Sequence, residues 1–137
     1  MGKGFSVDLS GKVALVTGGG GVLCGSMAKA LAESGAAVAV ADLRKEAADA
    51  VAAEIVAAGG KAMGVACNVL ERASLDQANT EVEATLGVKP SLHLREGRIG
   101  EEILGHIDES ESIDLLVVGA APPDDGHGSL ISWLAGQ

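Results

Sequence analysis

Apolar and polar residues are grouped in blocks along this chain, and the blocks change period in a regular order. Val13–Val16 is a short apolar run that meets Thr17 and four consecutive glycines, Gly18–Gly21. A helical pattern follows from Val22 to Ser34, with Met27, Leu31 and several alanines on its apolar face and Gly35 as its stop. Ala36–Ala41 (AAVAVA) is apolar at odd and even positions alike, as a parallel strand covered on both faces requires. Leu43–Ala58 predicts a second helix ended by Gly59–Gly60, Lys61–Val69 a third strand, and Glu71–Leu86 a third helix ended by Gly87.

The pattern then restarts. Ser91–Arg95 reads as a short strand. Ile99, Ile103 and Ile107 recur every fourth residue and predict an amphipathic helix from Arg98 to Glu109. Ile113–Gly119 (IDLLVVG) predicts a buried strand, Ala120–Gly128 a loop, and Ser129–Ala135 a last short helix carrying Trp133. Residues 1–11 read as a loose leading segment, with Phe5 expected on the sheet edge.

Strands alternating with helices of this length predict right-handed βαβ units around a parallel sheet. The expected fold is a single α/β domain over residues 1–137. It is a three-layer α/β/α Rossmann-like sandwich with five parallel strands in the order 3-2-1-4-5 and a crevice between strands 1 and 4. The alternative places the fourth strand outside the third.

The glycine turn is the first candidate for chemistry. A helix N-terminus carries unsatisfied N–H groups and partial positive charge, and glycines let a phosphate approach them. Asp42 closes the second strand pattern about 20 residues beyond the turn, where a carboxylate can accept hydrogen bonds from an adenosine ribose and repel a 2′-phosphate.

Composition narrows the classes. Apolar residues make up 47 % of the chain but aromatics only 1 %, so the core must be built from Ala, Val, Leu and Ile. The net charge of −9 argues against nucleic acid and anionic membrane as partners. Cys24 and Cys67 are too few for a disulfide framework, which suits a reducing compartment. With no visible signal peptide or membrane span, a cytoplasmic location is expected. His93, His106 and His127 are scattered, and Asp124-Asp125-Gly126-His127 lacks a ligand quartet, so no metal is expected. Cys24 is expected to pack against the sheet.

Residues 6–87 resemble the short-chain dehydrogenase/reductase family. The resemblance rests on DLSGKVALVTGG (Asp8–Gly19), on Asp42, and on Cys67-Asn68-Val69. GGGGVLCGSMAKAL (Gly18–Leu31) is similar to the fructuronate-type sugar-acid reductases within it. The resemblance implies a pyrophosphate turn, a ribose-binding Asp42, and an adenine contact at Asn68, where the family usually has Asp. There are departures. The family turn TGxxxGxG, laid on Thr17, puts its later glycines at Val22 and Cys24, with Gly21 and Gly25 one residue away. The chain contains no Tyr, so the family's Tyr-x-x-x-Lys proton-transfer pair is absent and no catalytic residue is expected.

Residues 91–119 instead resemble the universal stress protein family, through Gly97, Glu101–Leu104 (EEIL) and Asp114–Gly119 (DLLVVG). That resemblance implies an ATP loop, but Pro123 and Gln137 replace two of its key positions. Together the two resemblances predict a chain recombined at Gly87, with halves 1–87 and 88–137, as an engineered chimera or a natural fusion. The expectation is a non-catalytic Rossmann-like domain. It would bind NAD weakly, and ATP less readily, at Gly18, Gly20, Gly21, Val22, Leu23, Asp42, Asn68 and Val69. The alternatives are a purely structural chimera without a ligand, and a shortened NAD-dependent oxidoreductase active as a homo-oligomer.

Overall fold

The computed structural model describes residues 6–88 and 95–110. The chain divides into two compact units, Met1–Ser91 and Leu92–Gln137.

Among the described residues of the first unit three strands alternate with three helices: β1 (Val13–Thr17), α1 (Val22–Glu33), β2 (Ala37–Asp42), α2 (Lys45–Ala57), β3 (Lys61–Ala66) and α3 (Arg72–Leu86). The strands form one parallel sheet in the order β1-β2-β3. Val13 pairs with Ala37 and Thr17 with Ala41, and the β2–β3 register runs from Ala37 with Lys61 to Asp42 with Ala66. The expected 3-2-1 portion of the sheet is therefore present. The expected fifth strand, the loop 120–128, the last helix, Phe5, His93 and His127 lie outside the described residues, as does all of the expected fourth strand except Arg95, so the five-strand order is not established.

The period of two along β2 sorts its side chains onto two cores. Val38 and Val40 pack with Ala28 of α1 and Ala48, Val51, Ala52 and Ile55 of α2. Ala41 packs on the other face with Val65, Cys67 and Ala78 of α3. Helices thus cover both faces, which explains the absence of a polar residue from Ala36 to Ala41. Full burial of each valine contributes about 1.5–3 kcal/mol, whereas an alanine contributes less but lets helix and sheet approach closely. The helices stop as glycine predicts: Gly35 takes φ 100°, and Ala36 N–H returns to Leu31 O at 3.1 Å. Two exposed i,i+4 ion pairs, Lys45–Asp49 at 2.8 Å and Arg72–Asp76 at 3.1 Å, add a few tenths of a kcal/mol each, about 0.3–0.5.

In the second unit α4 (Ile99–Glu109) matches the isoleucine period. Glu101 and Glu102 in its first turn complement the helix dipole. Arg95 pairs with Glu109 and lies 3.8 Å from Glu102, and this cation holds the Glu109 carboxyl below its ordinary pKa. Among the described residues no helix is long and apolar enough to cross a membrane.

Candidate functional site

Since the strands are parallel and in register, Thr17, Asp42 and Ala66 finish at one edge of the sheet. Three loops leave from that edge, and they carry the residues singled out in the sequence.

The first loop is a tight turn. Gly18 adopts φ 64°, a left-handed conformation that favours glycine, and Gly21 N–H closes back on Gly18 O at 3.0 Å. Gly19 N–H donates to Ala41 O at 2.9 Å, stitching the turn to β2. Gly21 then caps α1 in an extended conformation, with no side-chain cap and no acid in the first turn. The positive end of the helix is left open beside exposed Gly18 and Gly21. Val22 and Leu23 occupy its first turn and are 92 % and 70 % exposed, so neither serves the core.

Asp42 is tied to that turn. Its Oδ2 accepts the Gly20 N–H at 3.0 Å, and its Oδ1 accepts the Arg44 N–H at 3.0 Å. An ionised carboxylate has about four acceptor positions, so both oxygens keep capacity for further donors. The backbone carbonyl of Asp42 accepts Cys67 N–H at 2.9 Å, which places the third loop beside the second.

Asn68 turns inward on its own loop. Its Oδ1 accepts Leu70 N–H at 3.1 Å, its Nδ2 donates to Glu71 Oε1 at 3.0 Å, and its N–H donates to Ser74 Oγ at 2.8 Å. This turn ends β3 at Ala66, before the expected Val69. Val69 is 52 % exposed next to it. Of the eight residues singled out, Gly20 and Asp42 are in direct hydrogen-bond contact. Gly18, Gly21, Val22 and Leu23 build the adjoining turn, while Asn68 and Val69 share the edge.

The sequence pattern did not single out Ala47, and it left Gly25 only as a neighbour of the expected turn position. A Cβ on Gly20 would fall 2.6 Å from Ala47 Cβ, and one on Gly25 would fall 3.1 Å from Gly19 O. Gly25, rather than position 24, thus permits the close approach of α1 to the turn. Cys24 is half-buried, with its Sγ 4.0 Å from where a Cβ on Gly18 would sit, in line with packing under the turn. Cys67 is buried, and burial pushes its thiol pKa up against the opposing hydrogen bond with Ser74. Among the described residues no three His, Cys, Asp or Glu side chains converge for a metal ion.

A groove of about 550 Å³ lies elsewhere, lined by Lys29, Glu33, Glu54, Ile55 and Gly60 at the C-terminal ends of α1 and α2. The topology puts it at the opposite edge of the sheet. Within the groove Lys29 and Glu54 pair with each other.

The short chain dehydrogenase family profile matches residues 12–93. The uncharacterized oxidoreductase UxuB of Bacillus subtilis is 46 % identical over 80 residues, 58 % of this chain and 29 % of that protein. The 2,5-dichloro-2,5-cyclohexadiene-1,4-diol dehydrogenase LinX of Sphingobium indicum is 35 % identical over 136 residues, 90 % of this chain and 54 % of LinX. A crystal structure of a protein provisionally named a D-mannonate oxidoreductase, from Haemophilus influenza with bound NAD, superposes with a TM-score of 0.58 at 43 % identity. It takes in 60 % of this chain and 29 % of that one. The chain belongs to the short chain dehydrogenase family, and its first unit has that family's α/β Rossmann-like fold. It spans between roughly a third and a half of the length of these relatives.

These findings correct two expectations. The proposed junction at Gly87 does not hold. The family match runs through it to residue 93, and an alignment covering 90 % of the chain must include most of residues 91–119. An apolar run such as DLLVVG recurs wherever a parallel strand is covered on both faces, so the likeness to universal stress proteins is not evidence of ancestry. The expectation of a non-catalytic domain falls with it, because the relatives across this alignment are named dehydrogenases and oxidoreductases. The missing Tyr misled because the match takes in only part of each relative, so it says nothing of the chemistry carried by the remainder.

Proposed function

We propose that this chain holds NAD at the carboxyl edge of its sheet and is the cofactor-binding part of an NAD-dependent oxidoreductase acting on a sugar acid. The observation that carries the reading is the Gly20–Asp42 hydrogen bond, which joins the phosphate turn and the ribose carboxylate into one unit. The residues present fit the cofactor. The glycines keep Cβ atoms out of the turn, and the uncapped α1 N-terminus offers N–H groups to a pyrophosphate. Asp42 has spare acceptor positions for ribose hydroxyls, and its charge opposes the 2′-phosphate of NADP. Asn68 and Val69 flank the adenine end. NAD, when bound, supplies or takes up the hydride. The sugar-acid class is supported by the Gly18–Leu31 segment and by the relative provisionally named a D-mannonate oxidoreductase.

Calorimetric titration with NAD, NADP and ATP tests the reading. NAD is expected to bind saturably and more tightly than NADP or ATP. Asp42→Ala is expected to weaken NAD by about tenfold or more, the scale of a lost charge-assisted hydrogen bond. Silence for NAD, or an Asp42→Ala variant that binds it equally well, would refute the reading.

A further inference from the structure

We propose that Ala47, in the first turn of α2, is a positioning residue for the cofactor: its methyl sets how closely Gly20 can approach Asp42. The proposal rests on the cofactor reading above.

A closed circuit of contacts supports it. Asp42 bridges Gly20 N–H and Arg44 N–H, each at 3.0 Å. Arg44 is the N-cap of α2, and its carbonyl accepts Ala47 N–H at 3.1 Å and Ala48 N–H at 3.2 Å. Ala47 closes the circuit from the other side. A Cβ grown on Gly20 would lie 2.6 Å from Ala47 Cβ, 3.0 Å from Ala47 C and 2.9 Å from Asp42 Oδ2. The space between the turn and α2 therefore holds one methyl group, the one on Ala47.

A larger side chain at 47 pushes Gly20 outward and breaks its bond to Asp42. The phosphate turn and the ribose carboxylate then lose their common register. Ordinary core packing does not account for this position. Ala48, Val51, Ala52 and Ile55 carry the core face of α2, whereas Ala47 is half-buried and outside that cluster.

The test uses the full chain with Ala47→Ser, Ala47→Val and Ala47→Leu. It reads NAD affinity by calorimetry and Gly20 amide hydrogen exchange by NMR without ligand. Ala47→Ser is expected to behave as the parent. Ala47→Val and Ala47→Leu are expected to weaken NAD by about tenfold and to speed Gly20 exchange, while the amides of Val38 and Val40 stay protected. Adding Ala47→Val to Asp42→Ala is expected to cause no further loss, because the effect passes through Asp42. If Ala47→Leu does not fold, Ala47→Val carries the test. Parent-like affinity with a protected Gly20 amide in Ala47→Val, or additive losses in the double variant, would overturn the role of Ala47 alone. A parent chain that binds no NAD would overturn the cofactor reading, and the role of Ala47 in binding with it.

Discussion

The amide of Gly20 donates to Oδ2 of Asp42 at 3.0 Å, so the glycine turn and the acid beyond the second strand meet through the protein itself. A pyrophosphate site and a ribose site are usually thought of as two pockets bridged by the ligand. On the reading proposed above, the backbone of one and the side chain of the other are already fixed to each other, which would lower the ordering cost of binding a molecule that spans both.

Gly20→Ala is expected to disturb both sites at once. The new methyl has no place between Ala47 Cβ at 2.6 Å and Asp42 Oδ2 at 2.9 Å. Overpacking of this kind costs about 1–3 kcal/mol. Chemical denaturation should show an earlier midpoint than the parent, and NAD affinity should fall by more than in a variant of equal stability altered elsewhere. An unchanged midpoint would show that the turn has room the structure does not indicate.

Gly64→Ala tests the seat of α2 on β3. A Cβ there would collide with Asp49 Oδ1 and lie 2.7 Å from Asp49 N, and the second of these is backbone that cannot swing away. A loss of about 1–3 kcal/mol is expected by denaturant titration. Combining it with Asp49→Ala should recover only part of that loss, since the backbone clash persists.

The two cysteines should differ in reactivity. Cys67 is 4 % exposed, and burial raises its pKa, so it is expected to resist a maleimide until the chain unfolds. Cys24, half-buried, should be modified first. The raised pKa also gives a pH dependence. The stability linked to a neutral Cys67 is full below the ordinary thiol pKa of the unfolded chain and is lost as pH rises through the raised value in the fold. Cys67→Ser should flatten that alkaline decline, measured as the denaturation midpoint against pH.

Much of the first unit was legible because its signals are local. Ala36–Ala41 has no polar residue, which only a doubly covered strand tolerates, and the glycines at 35, 59 and 87 stop helices where the φ angles require them. Asp42 was legible as an acid, but its bond to Gly20 was not, because that depends on how α2 docks against the turn. The late start of α2 had a local signal that went unread: Asp42 precedes Arg44 by two residues and accepts its N–H, so Leu43 and Arg44 belong to the turn. Ala47 was hidden among the other alanines of α2, identical in type and distinguished only by what lies opposite. The supposed junction at Gly87 failed for a related reason. Hydrophobic period reports how deeply a strand is buried and carries no record of which family it came from.

The claim at the centre is that NAD sits at the carboxyl edge of the sheet, and an NMR titration of the full chain with NAD tests it most directly. Amide shifts should concentrate at Gly18–Leu23, Asp42 and Asn68–Val69, and saturate together. Shifts centred instead on Lys29, Ile55 and Gly60 in the groove at the other edge, or none at any of these residues, would contradict it.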